Sequence, residues 1–196
     1  MPKRGRRKAP PKPPPRLEYQ ASDGAWYGVR VTQQEGWLRV MYENFLEETD
    51  EWYEPTDLAS PRDVAALRAR LRVVSPPLDD ARCGDLRPGQ RLCVFCPMSD
   101  LDCKFFDAVL VSVKRGAHRT VDGKEQCACR FKVRWTEGPR PGALEEVGID
   151  GLCCVQNSPV KDPELSEFLD RVTMSSGDGN GDATAAPHAT RARLAP

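Results

Sequence analysis

The stretch AWYGVRVTQQEGWLRVMY (25–42) decides the fold class of this chain. Its two ends, 25–31 and 36–42, are rich in aromatic and β-branched residues and alternate in polarity, as half-buried β-strands do. The polar residues TQQE and Gly36 lie between them and predict a short turn, so the two segments are expected to pair as a hairpin. Further segments in the same style are RLCVF (91–95), KFFDAVLVSV (104–113) and CRFKVRW (129–135).

A weak internal repeat extends this pattern along the chain. WYGVRV (26–31) resembles FFDAVL (105–110), and LRVMY (38–42) resembles FKVRW (131–135). The distance in sequence between corresponding residues of the two copies is about 80 residues at the first strand and about 94 at the last. This increase is expected if one loop is longer in the second copy. Each copy has room for four or five short strands, the size of a small β-barrel closed on itself. The prediction is a mainly β protein of two small barrels, and two unrelated hairpins are the alternative.

Two helices are predicted around these strands. SPRDVAALRARL (60–71) has Ser60 as its N-cap and Pro61 at the first helical position, with apolar residues at helical spacing. DPELSEFLDRV (162–172) begins in the same way. The expected organisation is a disordered basic tail over 1–16, a first unit with its connecting helix over 17–75, a second unit over 76–160, a short helix over 161–173 and a disordered tail over 174–196.

The charge of the chain is balanced overall but not locally. The 196 residues contain 29 basic and 29 acidic side chains, so bulk charge predicts no partner. The first sixteen residues, MPKRGRRKAPPKPPPR, hold seven Lys or Arg, six Pro and no carboxylate. They lack the apolar core of a secretory signal, and no apolar run approaches the roughly 18 residues of a membrane span. An intracellular protein with reduced thiols is therefore expected.

Three cysteines and a histidine predict a zinc site. Cys127 and Cys129 would open a strand with both sulfurs on one face. His118 precedes them by nine residues, at the end of the preceding strand. Cys83 lies just ahead of the strand expected to pair with 104–113. Three sulfurs and one imidazole form an ordinary closed structural zinc site.

Two alternatives to this ligand set stay open on the sequence. Cys93 and Cys96 form a CxxC pair, although within a strand their sulfurs would point to opposite faces. The second alternative is no metal at all, because cysteine is often a small buried hydrophobe. Cys153 and Cys154 are expected to be buried packing residues.

Three aromatic residues predict a cage for a methylated ammonium group. Tyr42 and Phe45 lie where a strand runs into a loop, and Tyr27 lies on the paired strand. Aromatic faces attract a cation by roughly 0.5–2 kcal/mol each. The alternative is that these rings belong to the core and that the acidic loop is merely solvated. The loop carboxylates expected to attract a basic peptide include Glu47, Glu48, Asp50 and Glu51.

Five ordered motifs resemble the SAWADEE domain of plant chromatin proteins over about 17–156. They are LEYQASDGAWYGVRV, VMYENFLEETDEWYEP, SPPLDDARCGDLRPGQRLCVF, CKFFDAVLVSVKRGAH and CACRFKVRW. The resemblance implies a tandem Tudor-like fold with zinc in the second barrel. It also implies a nuclear reader of histone H3 methylated on its ninth residue, a lysine, with the fourth residue unmodified. Such readers serve RNA-directed DNA methylation and recruit a specialised RNA polymerase.

The resemblance also implies roles for individual residues. Tyr27, Tyr42 and Phe45 match the methyl-lysine cage of the family. Phe105 falls near the pocket for the unmodified lysine. The residues that match the zinc ligands are Cys83, His118, Cys127 and Cys129.

Two departures limit what the resemblance implies. The first hairpin turn is shorter than in the best-known members, and those members carry a homeodomain where this chain has a basic segment. Recruitment of the polymerase and sequence-specific DNA contact are therefore not expected to transfer.

The alternative function is nucleic-acid binding by the barrels, with the tail motif KRGRRK gripping DNA or RNA phosphates. The same motif also fits a nuclear localisation signal. The sequence contains no phosphate-binding loop, nucleophile elbow or open metal site, so an enzyme is not predicted.

Overall fold

The computed structural model describes residues 16–175 and is mainly β, as the sequence predicts. Of the tails predicted over 1–16 and 174–196, residues 1–15 and 176–196 lie outside the described residues, and 174–175 belong to the last helix. The strands are β1 Leu17–Gln20, β2 Trp26–Gln34, β3 Trp37–Tyr42, β4 Glu51–Tyr53, β5 Leu71–Val73, β6 Arg91–Pro97, β7 Cys103–Lys114, β8 His118–Val121, β9 Lys124–Cys127, β10 Arg130–Trp135, β11 Leu144–Val147 and β12 Leu152–Cys154. The helices are α1 Pro61–Ala69 and α2 Pro163–Ser175.

The first half of the fold is built on the hairpin predicted over 25–42. Strands β2 and β3 pair antiparallel from Val29↔Tyr42 to Gln34↔Trp37. Their turn is only Glu35 and Gly36, with φ of 53° and 87°. Two consecutive positive φ values match the right-handed twist of the flanking strands. The turn is therefore shorter than the polar segment suggested, and both strands extend into it.

The two halves of the sheet repeat one strand order. In the first half the order is β5-β1-β2-β3-β4, and in the second it is β12-β6-β7-β10-β11. The halves meet where Trp26 of β2 pairs with Phe105 of β7, the residues that begin the two copies of the sequence repeat. Ten strands thus form one continuous sheet. Each half is a curled half-barrel, because its two edge strands are not paired with each other in the described sheet.

The longer loop of the second copy folds as a separate two-stranded ribbon, β8–β9. Its turn, Asp122 and Gly123, again has two positive φ values, 50° and 73°. This ribbon corrects the placement of the predicted ligands. His118 begins β8 instead of ending the preceding strand, and Cys127 ends β9, whereas Cys129 lies just before β10. The two cysteines therefore do not open one strand.

Both helices begin at the predicted residue, but their C-terminal ends differ from the prediction. Ser60 accepts a hydrogen bond from the Asp63 amide in a capping box, which explains the start of α1. The helix ends at Ala69 because Leu71 joins β5 and pairs with Tyr19. Helix α2 runs on to Ser175, two residues beyond the predicted end. No helix within 16–175 is long and apolar enough to cross a membrane.

Each half encloses its own hydrophobic core. Tyr19, Leu38 and Val40 are buried in the first core, and α2 covers this core with Phe168 and Leu169. The second core is centred on β6, β7 and β10. A smaller cluster of Trp26, Cys93 and Cys153 lies between the halves. The main buried residues of the second core are Leu92, Val94, Phe106, Leu110, Phe131 and Val133.

Candidate functional site

Three aromatic rings stand against one another at the end of the first hairpin. The ring centroids of Tyr27 and Tyr42 are 5.7 Å apart, those of Tyr27 and Phe45 are 5.5 Å apart, and those of Tyr42 and Phe45 are 6.0 Å apart. The planes of these pairs are inclined at 83°, 87° and 66°. Three nearly perpendicular rings form a corner, and Phe45 remains 55% exposed on its outer side. The structure thus brings together the three residues that the sequence predicts as a cage.

A buried polar network holds the Tyr42 wall of this corner. The Tyr42 hydroxyl donates to Glu51 Oε1 at 2.7 Å, and the Arg70 guanidinium donates to both Glu51 oxygens at 3.2 Å. Tyr19 also donates to Glu51 and packs edge-on against Tyr42, with centroids 5.9 Å apart. Burial and the hydrogen bond to Glu51 raise the pKa of Tyr42, so the cage wall stays a neutral phenol.

The Tyr27 wall is held from the other half of the sheet. Its hydroxyl donates to Asp23 Oδ2 at 3.0 Å, and Lys104 Nζ of β7 donates to the same oxygen at 2.9 Å. Burial alone would raise the pKa of Asp23, but the hydrogen bonds from Lys104, the Ala25 amide and Tyr27 outweigh it and lower the pKa. A charged carboxylate therefore lies beside the cage. A shallow polar depression that includes Asp23 adjoins this position.

The predicted acidic loop divides into structural and exposed carboxylates. Asp50 accepts from Arg39 Nε at 2.8 Å and from the Tyr42 amide at 3.2 Å, and its side chain is only 5% exposed. Glu51 belongs to β4 and is engaged with Tyr42 as described above. Glu47 forms an exposed ion pair with Arg39 at 3.3 Å, and Glu48 faces solvent. Only Glu47 and Glu48 thus offer accessible charge to a ligand.

Phe105 lies on the seam between the halves. It pairs with Trp26 across β2 and β7 and contacts Phe95 edge-on, with centroids 5.8 Å apart. Phe105 is half-buried and follows Lys104 in the chain. Lys104 is linked to Tyr27 of the cage through their shared hydrogen-bond acceptor, Asp23.

The four predicted metal ligands meet at the base of the β8–β9 ribbon. Their ligand atoms all lie within 4.8 Å of one another. Cys83 comes from the 3-10 helix Asp80–Asp85, just ahead of β6 as predicted, and His118 is the register partner of Cys127. Cys129 enters from the start of β10. Four separate chain segments therefore converge on one point.

The separations fit a tetrahedral ion. Cys83 Sγ lies 3.9 Å from Cys129 Sγ, and His118 Nε2 lies 3.2 Å and 3.5 Å from these two sulfurs. Zinc–sulfur bonds of about 2.3 Å and zinc–nitrogen bonds of about 2.0–2.1 Å give tetrahedral edges of roughly 3.8 Å and 3.5 Å. A disulfide is excluded at these distances, since its sulfurs would lie about 2.05 Å apart. The cluster is of the right size to hold one metal ion.

Groups around the cluster orient its ligands. His118 Nδ1 lies 2.5 Å from Glu125 Oε1, which holds the proton on Nδ1 and directs the Nε2 lone pair to the cluster. The Gly116 amide donates to Cys129 Sγ at 3.3 Å, and this bond lowers the pKa of Cys129 to about 6. Burial raises the pKa of Cys127 to about 12. A metal cation held here would supply the charge that three neighbouring thiolates need.

The remaining cysteines lie away from this cluster. Cys93 is buried in the cluster between the halves, whereas Cys96 is buried in the second core. The two sulfurs of the CxxC pair thus lie on opposite faces of β6, as expected. Cys153 is buried beside Cys93, and Cys154 packs half-buried against the second core.

Sequence reasoning missed the residues that support the predicted ones. Asp23, Lys104 and Glu125 touch the cage or the metal cluster but carry no motif of their own. Their contacts join positions as far apart as Asp23 and Lys104, so only the folded chain reveals them. The Asp122-Gly123 pair in front of Glu125 is a hairpin signal that could have revealed the ribbon.

Comparison with known proteins agrees with this fold. The SAWADEE domain family model matches residues 14–153. A selenium-substituted double mutant of the SHH1 SAWADEE domain from Arabidopsis thaliana is similar, with 22% identity, a TM-score of 0.54, and coverage of 73% of this chain and 98% of that chain. The SHH1 SAWADEE domain in complex with an H3K9me3 peptide has 23% identity, a TM-score of 0.53, and coverage of 72% and 98%. No curated protein matches the chain.

Proposed function

Because this chain belongs to the SAWADEE domain family, we propose that it is a non-catalytic reader of the histone H3 tail methylated on its ninth residue. The observation that carries the proposal is the corner formed by Tyr27, Tyr42 and Phe45, at the end of the first hairpin. A similar fold binds an H3K9me3 peptide, which supports the same class of ligand here.

The corner suits a methylated ammonium for a physical reason. Aromatic faces attract a cation through their quadrupole, and methyl groups lower the cost of removing the cation from water. Both tyrosines stay neutral, because the pKa of Tyr27 and the pKa of Tyr42 are raised by burial. The site therefore binds a soft cation and offers no charged base or nucleophile at its centre. The family is one of histone-peptide readers and not of enzymes.

Charge around the corner favours a basic peptide. Asp23 is ionised beside Tyr27, and Glu47 and Glu48 are exposed beyond Phe45. Asp23 contacts one wall of the cage, and Glu47 and Glu48 follow Phe45 closely in the chain. We infer that they attract the lysines and arginines of a histone tail and raise its rate of association.

We further propose that the Cys83, His118, Cys127 and Cys129 cluster holds a structural Zn²⁺ ion. All four positions are taken by protein ligands, which is the pattern of structural and not of catalytic zinc. The ion would fix the β8–β9 ribbon to the second half-barrel and take no part in binding the peptide.

We also propose that the protein is nuclear and that it acts in RNA-directed DNA methylation or related gene silencing. The support is membership of a family of plant chromatin readers. The test is whether loss of the protein lowers cytosine methylation at silenced loci, and whether Phe45→Ala protein fails to restore it. If the Phe45→Ala protein restored cytosine methylation to the wild-type level, the cage would not be needed for silencing.

Calorimetric titration with histone H3 tail peptides tests the reader directly. We expect methylation of the ninth residue to produce micromolar binding, about −8 kcal/mol. Phe45→Ala should weaken it by about 2–30-fold, the equivalent of one lost cation–π face. Trp37→Ala is the matched control, because Trp37 is an aromatic of the same hairpin that packs on Trp52 at 6.4 Å, away from the cage.

The result that would overturn the reader is equal affinity for methylated and unmethylated peptides by correctly folded protein. Equal losses in Phe45→Ala and Trp37→Ala would instead remove the cage from the proposal. Circular dichroism of each variant confirms the fold before titration.

A further inference from the structure

The outward face of the second half-barrel carries cations in register on neighbouring strands. Strand β10 alternates regularly, with Arg130, Lys132 and Arg134 exposed. Arg130 pairs with Lys114 of β7, and Arg134 pairs with Val109, which in turn pairs with Arg91 of β6. Paired residues share a face of the sheet, so these side chains project together. We name Arg91, Lys114, Arg130, Lys132 and Arg134 the basic face.

We propose that the basic face binds the phosphate backbone of duplex DNA. This surface does not include the aromatic cage or the metal cluster, although Arg130 directly follows Cys129 of that cluster in the chain. It does not depend on the proposed histone binding, and its test has an independent readout.

The cations of the basic face are largely unsatisfied within the protein. Among the described residues, no ion pair within 4.0 Å involves Lys114, Arg130, Lys132 or Arg134. Arg91 is paired only loosely, at 3.4 Å to Asp107, and its side chain is 61% exposed. Four unpaired charges side by side repel one another, and a polyanion relieves that repulsion.

Two carboxylates border the basic face without neutralising it. Glu146 of β11 is the register partner of Lys132, yet no ion pair forms between them. Asp150 and Arg130 both approach Gly148 at the end of the row. These two acidic groups thus lie along one edge. The carboxylate within β6, β7 and β10 is Asp107, which Arg72 and Arg91 neutralise.

The spacing of the cations suits a chain of phosphates better than a single anion. Arg130, Lys132 and Arg134 recur at every second residue, roughly 6.6 Å apart along the strand. The neighbouring strands lie about 4.8 Å apart, so the basic face is a flat array and not a pocket. An extended array contacts several backbone phosphates at once and binds without reading sequence.

The same strand argues for duplex over single-stranded nucleic acid. Its aromatic residues, Phe131 and Trp135, point inward and are 0% and 3% exposed. Proteins that hold single strands rely on exposed aromatic rings on which bases stack. No ring lies among the five side chains of the basic face; the exposed Phe95 is four residues beyond Arg91 on β6 and packs edge-on against Phe105. The contacts of the basic face are therefore to the backbone.

Charge is distributed unevenly in a way that fits two partners. Residues 17–75 contain eleven carboxylates and six basic side chains. Residues 76–160 contain twelve of each, but the segment 103–135, which runs from β7 to β10, contains eight basic side chains and three carboxylates. The first half thus favours a basic peptide, and the β7–β10 segment of the second half favours a polyanion. DNA wrapped on histones presents both partners close together.

Fluorescence anisotropy with a short labelled DNA duplex tests the proposal on the full chain. The test variant is Lys132→Ala/Arg134→Ala. The matched control is Arg62→Ala/Arg68→Ala, which removes two exposed and unpaired arginines from α1 of the first half. The basic segment at the start of the chain is common to all variants and cancels in the comparison.

We expect the test variant to bind the duplex several-fold more weakly than wild type. The slope of log K against log salt should fall in magnitude by about 1.8, since each lost phosphate contact contributes about 0.9. The control should keep the wild-type slope, and both variants should keep their affinity for the H3 peptide.

Equal slopes for wild type and the test variant, or equal losses in test and control variants, would overturn the proposal. Equally tight, equally face-dependent binding of a single-stranded oligonucleotide would overturn the duplex assignment. Because peptide titrations run in parallel, failure of the histone reader is distinguishable from failure of the basic face.

Discussion

At the scale of single residues, Tyr42 combines two roles that different atoms perform. Its ring forms one wall of the cage, while its hydroxyl anchors that wall to Glu51 and, through Glu51, to Arg70. In the proposed cage the ring would contact the cation, and the hydroxyl would only set the position of the ring. The two contributions are therefore separable by substitution.

Tyr42→Phe should preserve most of the affinity for a methylated peptide, whereas Tyr42→Ala should not. Phenylalanine keeps the aromatic face, so we expect less than about a threefold loss, which is under 1 kcal/mol. Alanine removes about 0.5–2 kcal/mol of cation–π attraction, a factor of about 2–30. Peptide calorimetry on both variants measures the difference. A Tyr42→Phe protein as weak as Tyr42→Ala would show that the hydroxyl, and not the ring, governs binding.

The meeting of the three aromatic rings could be predicted from the sequence because these residues are close in the chain or in the hairpin. Tyr42 and Phe45 are three residues apart, and hairpin pairing brings Tyr27 to them. The residues that hold them could not be predicted in this way. Asp23 is fixed by Lys104, which is 81 positions away, and a single chain carries no local signal for such a contact. Local pattern thus identifies the walls of the site but not their supports.

At the scale of elements, the β8–β9 ribbon meets the rest of the fold at the cluster of Cys83, His118, Cys127 and Cys129. Its eight strand residues are exposed except for Cys127, so the ribbon has almost no core of its own. Isolated two-stranded hairpins are marginally stable in water. The ribbon is joined to the protein at its base, where Cys127 and His118 meet Cys83 and the Cys127 amide donates to Asp80 at 2.7 Å.

Removal of metal should therefore release the ribbon and leave the first half intact. With a chelator, we expect faster amide hydrogen exchange over 118–127 and 80–85, but unchanged exchange in β1 to β3. Cys127→Ser should lose the single bound zinc measured by atomic absorption. Cys103→Ser is the control, since Cys103 is exposed and outside the cluster. Full zinc content in the Cys127→Ser protein would contradict the ligand assignment.

The elements that the sequence did not predict are the short or strongly polar ones. The long strands β2, β3, β7 and β10 show clear alternation, whereas β4, β5 and β12 have three residues each. Three residues do not define a period. The ribbon sequence HRTVDGKEQC is mostly charged and polar, so its hydrophobic pattern is absent and only its Asp-Gly turn indicates a hairpin.

Helix α2 lies beyond residues 14–153, the part that matches the family, yet it is part of the first core. Phe168 is fully buried there, whereas Met174 is 78% exposed. We expect Phe168→Ala to lower the free energy of unfolding by about 3–5 kcal/mol. Met174→Ala, a matched loss of a large apolar side chain, should change it by less than about 0.5 kcal/mol. Urea denaturation compares the two, and equal effects would mean that α2 does not contribute to the core.

At the scale of the whole molecule, the two halves are copies joined at equivalent places. Trp26 and Phe105 are corresponding residues of the sequence repeat, and they pair with each other across the seam. The repeat therefore predicted two similar units with a longer loop in the second. It did not predict that the units share one sheet, because that depends on pairing between the copies and not within them.

A buried charged triad holds the halves together and supplies the last prediction. Arg72 of β5 donates to Glu18 of β1 and, at 2.8 Å and 3.0 Å, to both oxygens of Asp107 on β7. Its guanidinium also lies 3.5 Å from the centroid of the Trp26 ring. One arginine thus bridges both halves beside the residue that joins their sheets, where Glu18, Arg72 and Asp107 are all buried.

Arg72→Ala should destabilise the protein by about 3–5 kcal/mol, because it removes the countercharge of the buried Glu18 and leaves the buried Asp107 only its 3.4 Å contact with the exposed Arg91. Arg91→Ala is the control: it removes another partner of Asp107, but an exposed one, and should cost about 0–1 kcal/mol. Arg72→Lys keeps the charge but not the two separate nitrogens, Nε and Nη1, that reach Glu18 and Asp107, so an intermediate value is expected. Urea denaturation measures all three variants. If Arg72→Ala cost no more than Arg91→Ala, the seam would be held by the apolar cluster of Trp26, Cys93 and Cys153 alone. If the expected order holds, the orientation of the halves depends on charge pairing, and the Lys104 contact to Asp23 that supports the cage depends on it as well.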